Sequence, residues 1–303
     1  MQLNEGAKGG DKVIAALLCV YFFWGSTYLA IRIGLEGFPP FIMAGLRYTL
    51  AGSMLYLFLR LRGHHTPPVV QWRNGTIIGG LLLLVGNGGV VFAEQTVASG
   101  LAALMIATTP LFMVLFAGIW GRWPTRSEWS GLLIGLAGVV LLSVSGTLSA
   151  DHLGALVLLL AAASWAFGSV WSGYLSMPKG LMASAVEMIC GGALLLIVSS
   201  LAGERIPLTL SWRPVAAIAW LIVFGSIVGF SAYLYLLEKA RPTLASSYAY
   251  VNPIIAVLLG MLLAGETISG TEAFSMLVII AGVGIVISAR KGNDIDLDSN
   301  FDI

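Results

Sequence analysis

The sequence predicts an all-α polytopic membrane protein, and the observations that predict it are its composition, its apolar blocks and the placement of its charges. Apolar residues make up 58% of the 303 positions and charged residues 10%, whereas an ordinary soluble domain carries about 25% charged residues. So few charges cannot cover a water-facing surface. Apolar blocks of about 20 residues, the length that crosses a bilayer as a helix, recur along the whole chain.

Apolar runs bounded by turn residues and charges predict ten transmembrane helices. Prolines such as Pro39, Pro68, Pro178 and Pro242 lie at or near predicted ends, where a missing N–H costs least. The approximate spans are 13–33, 40–60, 74–93, 97–120, 128–146, 153–175, 180–202, 214–237, 243–265 and 271–290.

The placement of Lys and Arg predicts that both termini are cytoplasmic. With the N-terminus inside, twelve of the 16 basic residues lie in inside segments, and three, Arg32, Arg205 and Arg213, lie in outside segments. The remaining one, Arg47, lies within a span. The predicted organisation is a cytoplasmic segment 1–12, halves 13–146 and 153–290 of five helices each, and a cytoplasmic acidic tail 291–303.

Several local patterns recur at a nearly constant separation, which predicts an internal repeat. Phe23-Trp24-Gly25-Ser26 resembles Ala166-Phe167-Gly168-Ser169, 143 residues later. Gly86 and Gly229, and Pro110 and Pro253, are separated by the same number, and Gly138-Val139 precedes Gly282-Val283 by 144. Because each half has an odd number of helices, the second half must enter the membrane inverted. Such halves enclose a substrate site near mid-bilayer and alternate its access between the two sides.

Two charged residues lie well inside predicted spans, away from the span ends, where an unpaired charge costs several kcal/mol. Arg47 lies about seven residues into the second span and Glu187 about seven into the seventh, 140 positions later. As functional residues, Arg47 suits a substrate carboxylate, and Glu187 suits an ammonium group or a coupling proton. The alternative is that each bonds to backbone carbonyls and only holds helices together.

Aromatic and amide side chains within the apolar runs are candidates to bind a small amphipathic ligand. Rings offer stacking faces, and an amide inside a span needs a partner. The alternatives are an interfacial belt for the rings and helix-to-helix bonding for the amides. The predicted substrate-binding residues are Trp24, Tyr28, Asn87, Trp165, Ser169, Phe230, Tyr250 and Asn252, and the predicted hinge residues are Gly86, Pro110, Gly229 and Pro253.

These residues resemble the drug/metabolite transporter superfamily, in its ten-helix branch built from two EamA-type repeats. The resemblance rests on Trp24-Gly25-Ser26, on Arg47, on Ala98-Ser99-Gly100-Leu101-Ala102-Ala103 leading into Pro110, on Ala245-Ser246-Ser247 leading into Pro253, and on Gly265-Glu266. The first repeat departs from the pattern, since it has Gly121-Arg122-Trp123 where the second has the acid. The resemblance implies a central cavity in a bacterial inner-membrane exporter of aromatic and other neutral amino acids.

The same sequence argues against several other classes of function. A net charge of +1 without a basic stripe provides nothing to neutralise nucleic-acid phosphates. Cys19 and Cys190 lie in apolar blocks and all three histidines in polar connections, so no metal or cofactor is expected. The sequence contains no Walker-type run, so ATP is not expected to drive the protein. An exporter of small metabolites is the main hypothesis; a monomer is compatible with it, and the oligomeric state stays open. An intramembrane enzyme, a lipid flippase, and nucleobases or cationic drugs as substrates stay open.

Overall fold

A computed structural model describes residues 3–97, 102, 105–144, 152–207, 209–264 and 270–298, and none of these residues lies in a β-strand. A short helical turn, Pro242–Ala245, precedes the ninth helix. The helices, in chain order, are α1 Leu3–Leu35, α2 Pro40–Leu61, α3 Val69–Ala93, α4 Thr109–Ile119, α5 Arg126–Val144, α6 His152–Ser172, α7 Leu181–Leu201, α8 Trp212–Lys239, α9 Tyr248–Ala264 and α10 Gly270–Asp298.

Within the described part of the chain, six helices are long and apolar enough to cross a bilayer. They are α2, α3, α7 and α8 over their full lengths, together with Asp11–Leu35 of α1 and Leu153–Ser172 of α6. The apolar helix α4 and the apolar part of α10, Ala273–Ala289, are shorter. The chain is therefore an all-helical, polytopic membrane protein.

Helix bounds differ from the predicted spans where local side chains interrupt an apolar run. The predicted span 243–265 is broken at Ser246 and Ser247, whose hydroxyls donate to the carbonyls of Pro242 and Leu244 and so compete with the helix. Pro110 lies in the first turn of α4, where it displaces no hydrogen bond, so its predicted mid-helix position is wrong. Pro253 does lie inside a helix, α9.

Other predicted features lie outside the described residues. These are most of the Ala98–Ala103 motif, the connection between the halves at 145–151, and the Gly265-Glu266 pair. At the C-terminus, α10 continues to Asp298, past the predicted end of the last span at 290.

The third helix of each half contains an eight-residue π-helical segment, Gly80–Asn87 in α3 and Leu221–Val228 in α8. Side chains from the first helix of the opposite half donate to carbonyls in both segments. The Ser164 hydroxyl donates to Leu81 at 2.8 Å, and the Trp24 indole N–H donates to Gly225 at 2.9 Å. Because π-helical turns displace the regular i→i−4 bonds, they present carbonyls to such donors and are frequent at functional sites.

The second helix of each half ends in the same way. Gly63 after α2 and Gly203 after α7, 140 positions apart, both have positive φ. The next residue in each case donates its N–H to a carbonyl five positions earlier: His64 to Leu59 and Glu204 to Ser199, both at 3.1 Å. These are matching Schellman motifs, which glycine favours because it has no Cβ.

The main contacts between a helix of one half and a helix of the other have counterparts between the equivalent helices of the opposite halves. The pairs are α1 with α8 and α6 with α3, α1 with α9 and α6 with α4, α2 with α7, and α5 with α10. The two pairs that map onto themselves, α2 with α7 and α5 with α10, make the most extensive contacts.

Glycines allow the backbones of α2 and α7 to approach closely and antiparallel. A Cβ on Gly45 would lie 2.7 Å from Leu196, one on Gly52 would lie 2.7 Å from the Ile189 nitrogen, and one on Gly192 would lie 2.6 Å from the Thr49 nitrogen. The residue numbers of the contacts decrease along α7 as they increase along α2, so the two helices run in opposite directions. In a bilayer, helix association relies on this kind of close packing between small residues.

We expect Gly192→Ala to destabilise the protein by about 1–3 kcal/mol, because its new methyl group would lie 2.6 Å from the Thr49 backbone nitrogen as well as 2.5 Å from the Thr49 hydroxyl, and the backbone cannot move aside as a side-chain end can. Gly284→Ala is the matched control, since a Cβ there meets nothing within 4 Å. Thermal unfolding of the purified proteins, followed by size-exclusion chromatography, should show a lower midpoint for Gly192→Ala alone. Equal midpoints would contradict the close α2–α7 contact.

Candidate functional site

A cavity between the two halves, the central chamber, is the candidate site. Its volume is about 80 Å³. Its lining comes from α1, α2, α3, α4, α6 and α9 and from the turn before α4. The lining residues are Trp24, Thr27, Tyr28, Ile31, Arg47, Tyr48, Gly86, Asn87, Val90, Ile106, Thr109, Ala161, Ala162, Trp165, Tyr248 and Asn252.

Arg47 is the charged side chain among these lining residues, and only 3% of its surface is exposed. Its Nε donates to the Ser226 hydroxyl at 2.8 Å, and its guanidinium lies 4.6 Å from the centre of the Tyr48 ring. No carboxylate among the described residues forms an ion pair with it. The site therefore holds a buried positive charge whose natural counter-ion is absent from the described lining.

Two amide oxygens in the chamber lack hydrogen-bond donors. Asn87 Oδ1 and Asn252 Oδ1 are both buried, and neither has a partner within the described part of the chain. Since buried carbonyl oxygens are nearly always paired, these two are suited to donors on a ligand.

Four aromatic rings pack together beside the chamber, and three of them, Trp24, Trp165 and Tyr248, line it. We call this set, Trp24, Trp165, Tyr233 and Tyr248, the aromatic wall. Trp24 contacts the other three rings at centroid distances of 4.8–5.5 Å, mostly edge to face. The Trp165 indole N–H donates to the Tyr233 hydroxyl at 2.9 Å, and that hydroxyl is bonded to Ser169 at 2.6 Å. Hydrogen bonds therefore hold the wall together in addition to ring packing.

A second cavity, the Glu187 cavity, lies beyond the wall and has a volume of about 490 Å³. It shares no lining residue with the central chamber. Ser169, which supports the wall through Tyr233, lines this cavity, and so does the carboxylate of Glu187, which is 1% exposed. The predicted pair of charged residues is thus divided between two cavities.

Tyr28, which lines the chamber, also lines a third cavity of about 900 Å³, the vestibule. The vestibule contains Arg32 and Glu94, and Glu94 Oε1 is buried without a hydrogen-bond partner among the described residues. Glu94 follows the membrane-spanning part of α3. Burial raises the pKa of this carboxyl to about 8, and the positive charge of Arg32 opposes that shift.

Seven of the predicted site residues come together in the chamber: Trp24, Tyr28, Arg47, Gly86, Asn87, Trp165 and Asn252. Phe230 lies behind the wall, 6.2 Å from the Trp165 ring centre, and Ser169 and Glu187 line the second cavity. Among the predicted hinges, Gly229 packs on the Trp24 indole, where a Cβ would lie 2.5 Å from Nε1. Pro110 and Pro253 are buried in α4 and α9 without lining the chamber.

Tyr250 is fully buried away from the chamber, against Gly135 of α5. Two residues along a helix turn the side chain by about 200°, so Tyr248 and Tyr250 cannot face the same cavity. Tyr248 and Asn252, four positions apart, share the chamber face instead.

Sequence reasoning missed Thr27, Tyr48, Thr109 and Glu94. Thr27 and Tyr48 are next to the predicted residues Tyr28 and Arg47, which was the available signal. Thr27 also lies three positions after Trp24, a spacing that places two side chains on the same face of a helix. Glu94 gave no such signal, because it follows the last apolar residue of its run and is expected in a solvated connection.

Residues 11–144 and 152–288 each match the family model described as the EamA-like transporter family. The chain belongs to this family. The two EamA matches correspond to the two halves seen in the helix contacts. Membership of the EamA family indicates a membrane transporter rather than an enzyme.

Relatives in the EamA family carry transporter names. The chain is 46% identical over 275 residues to the uncharacterized inner membrane transporter YedA of Escherichia coli K12, with 90% of each chain covered. It is 24% identical to a probable amino-acid metabolite efflux pump of Salmonella typhimurium, over 88% of this chain and 92% of that one. A crystal structure with 21% identity superposes with a TM-score of 0.76 over 93% of this chain and 98% of the other, which supports the fold.

We expect stability to fall as pH rises from about 5 to 8, in part because of Glu94. Its usual pKa is 4.5 and its folded pKa is about 8, so within this window the folded chain retains a proton that the unfolded chain has lost. The thermal midpoint of Glu94→Gln should therefore fall less steeply with pH than that of the wild type. Glu36→Gln is the control, since Glu36 lines the same vestibule but is exposed and paired with Arg213. Parallel pH profiles for Glu94→Gln and wild type would reject the buried, neutral Glu94.

Proposed function

We propose that the protein is a secondary exporter of small metabolites that carry a carboxylate, chiefly aromatic and other neutral amino acids, and that it works by alternating access. It lies in the bacterial inner membrane, as the name of its relative YedA states for that protein, with both termini cytoplasmic as the basic residues predict. In this proposal its ten helices all span the bilayer, as two inverted five-helix halves.

The antiparallel contact of α2 with α7 supports the inversion. These helices hold equivalent places in the two matches to the family model, end in matching Schellman motifs, and run in opposite directions. The α5–α10 pair repeats the pattern, since a Cβ on Gly131 would meet Val286 while one on Gly138 would meet Ile279. Two halves related in this way enclose a site at their interface and give equivalent routes to both sides.

The observation that carries the substrate proposal is the unpaired charge of Arg47 in a chamber that has no acid among its described lining residues. A carboxylate brings the counter-ion that this guanidinium lacks and accepts charge-assisted hydrogen bonds from it. A cationic drug would instead add a second positive charge to the same enclosed space. The chamber therefore favours zwitterions and anions over cations.

The rest of the lining fits the other parts of an amino acid. An ammonium group donates three hydrogen bonds, and the free oxygens of Asn87 and Asn252 accept them. The faces and edges of Trp24 and Trp165 suit an apolar or aromatic side chain. A nucleobase would use the rings and amides but leave Arg47 unpaired. A lipid flippase would need an open lateral groove with a polar floor, whereas this chamber is bounded by rings.

Transport by the reconstituted protein tests the proposal. We expect vesicles to move neutral amino acids, and we expect Arg47→Gln to weaken this by roughly 10- to 150-fold, since a charged hydrogen bond contributes about 1.5–3 kcal/mol. Methyl esters of the same amino acids should be transported poorly by the wild type and be insensitive to the substitution. Arg62→Gln is the control, because Arg62 is exposed just beyond the far end of α2. Transport of nucleobases or cationic drugs without amino-acid transport would reject the proposal.

We also expect Trp24→Ala and Trp165→Ala to lower the export rate per protein molecule present in the membrane. Each removes a ring from the chamber lining, and a ring pair contributes about 0.5–1.5 kcal/mol, which corresponds to roughly two- to tenfold in substrate affinity. Trp212→Ala is the matched control, since that ring is 77% exposed. Normal transport by both chamber variants would exclude these rings from the site.

A further inference from the structure

The Glu187 cavity contains two polar atoms that have no partner within the described part of the chain. Glu187 Oε2 and the Ser231 hydroxyl are both buried and unbonded, and both residues line the cavity. Glu187 itself is 99% buried. A carboxylate in such surroundings is costly unless a cation lies beside it.

The protein's own cations do not supply that partner. Arg122 and Lys179 line the same cavity, but both are exposed at its rim, and Arg122 lies 5.6 Å from the centre of the Tyr174 ring. No described Lys or Arg forms an ion pair with Glu187. Glu238, the other acid of the cavity, is exposed and paired with Lys239. The deep end therefore holds an acidic group and a hydroxyl without partners among the described residues, and it opens towards an exposed rim.

Size and hydrogen-bonding capacity indicate the kind of cation that fits. The volume of about 490 Å³ is within the range of small-molecule sites. Two unpaired oxygens, one on a carboxylate and one on a hydroxyl, match a primary ammonium group, which is compact and has three donors. A quaternary ammonium has no N–H to give them, and an N-acylated amine has neither the charge nor the donors.

We propose that the Glu187 cavity is a second binding station for the substrate, in which Glu187 and Ser231 bind its primary ammonium group. This station rests on the proposed export of amino acids, and it is separated from the Arg47 chamber by the aromatic wall. Ser169 links the two cavities, since it lines the Glu187 cavity and bonds to Tyr233, which accepts the Trp165 N–H. Displacement of Tyr233 would join the stations into one path.

Carbodiimide labelling tests the station without relying on transport. Dicyclohexylcarbodiimide converts a carboxyl group in an apolar site into an O-acylisourea. This rearranges to a stable N-acylurea or couples to a primary amine with release of dicyclohexylurea, so mass spectrometry of the purified protein measures the rate at which unmodified Glu187 disappears by either route. We expect n-butylammonium chloride to slow this reaction by the factor 1 + [L]/Kd, about tenfold at ten times the Kd. A neutral amino acid should protect as well. Tetramethylammonium chloride and the N-acetylated amino acid should not.

Variants separate this role from a structural one. Ser231→Ala should weaken protection by butylammonium while Glu187 still reacts, and Glu238→Gln, at the rim of the same cavity, should leave protection unchanged. Equal protection by tetramethylammonium, or no protection by butylammonium, would overturn the proposal. Loss of the pH dependence of transport in Glu187→Gln, without any amine protection in the wild type, would identify Glu187 as a proton site instead. Butylammonium protection in a protein that transports no amino acid would refute the proposed function and leave the ammonium site standing.

Discussion

The contact between α2 and α7 is the constraint on which the arrangement of the two cavities depends. Glycines at 45, 52 and 192 bring the two backbones together, so the positions of Arg47 and Glu187 along the shared axis are fixed. In this antiparallel register residue 47 lies level with about residue 194. Glu187 is seven residues from that level, which at 1.5 Å per residue separates the two charges by about 10 Å along the axis. The basic Arg47 and the acidic Glu187 thus lie on opposite sides of the aromatic wall.

The π-helical segments connect this pair to the helices that carry the rings. Trp24 on α1 binds the Gly225 carbonyl and Ser164 on α6 binds the Leu81 carbonyl, so the first helix of each half is attached to the third helix of the other. Arg47 is attached to the same segment of α8 through Ser226. A shift of α8 along this contact would therefore move the guanidinium and the Trp24 ring together. The interactions that shape the chamber are the same ones that join the two halves.

The sequence was sufficient for the helical membrane class, the repeat and the residues at the centre of the chamber. Trp24 and Trp165 could be found because two indole rings lie inside apolar spans 141 residues apart, close to the repeat distance, and Arg47 because a charge inside an apolar span needs a partner. The direction in which a side chain points from its helix was harder to predict. Tyr248 and Tyr250 have the same chemistry, and only the start of α9 at Tyr248, after the break at Ser246 and Ser247, decides which of them reaches the chamber. The π-helical segments were not predicted, because their donors come from helices that are distant in sequence.

The two halves share a backbone pattern and differ in charge, and under the proposed function with its second station this difference would give the transport path a direction. In a perfectly symmetric pair the two stations would carry equal charges, and a zwitterion would have to rotate to present the same group to both. Glu187 lies on one side of the wall and Arg47 on the other. An amino acid that arrives from the Glu187 cavity with its carboxylate leading would bind Glu187 through its ammonium group and then Arg47 through its carboxylate. Its ammonium then exchanges Glu187 and Ser231 for the amide oxygens of Asn87 and Asn252 as its carboxylate reaches Arg47. The stations therefore favour a single orientation of the substrate along the whole path, so the energetic cost of turning a charged molecule inside the membrane is avoided.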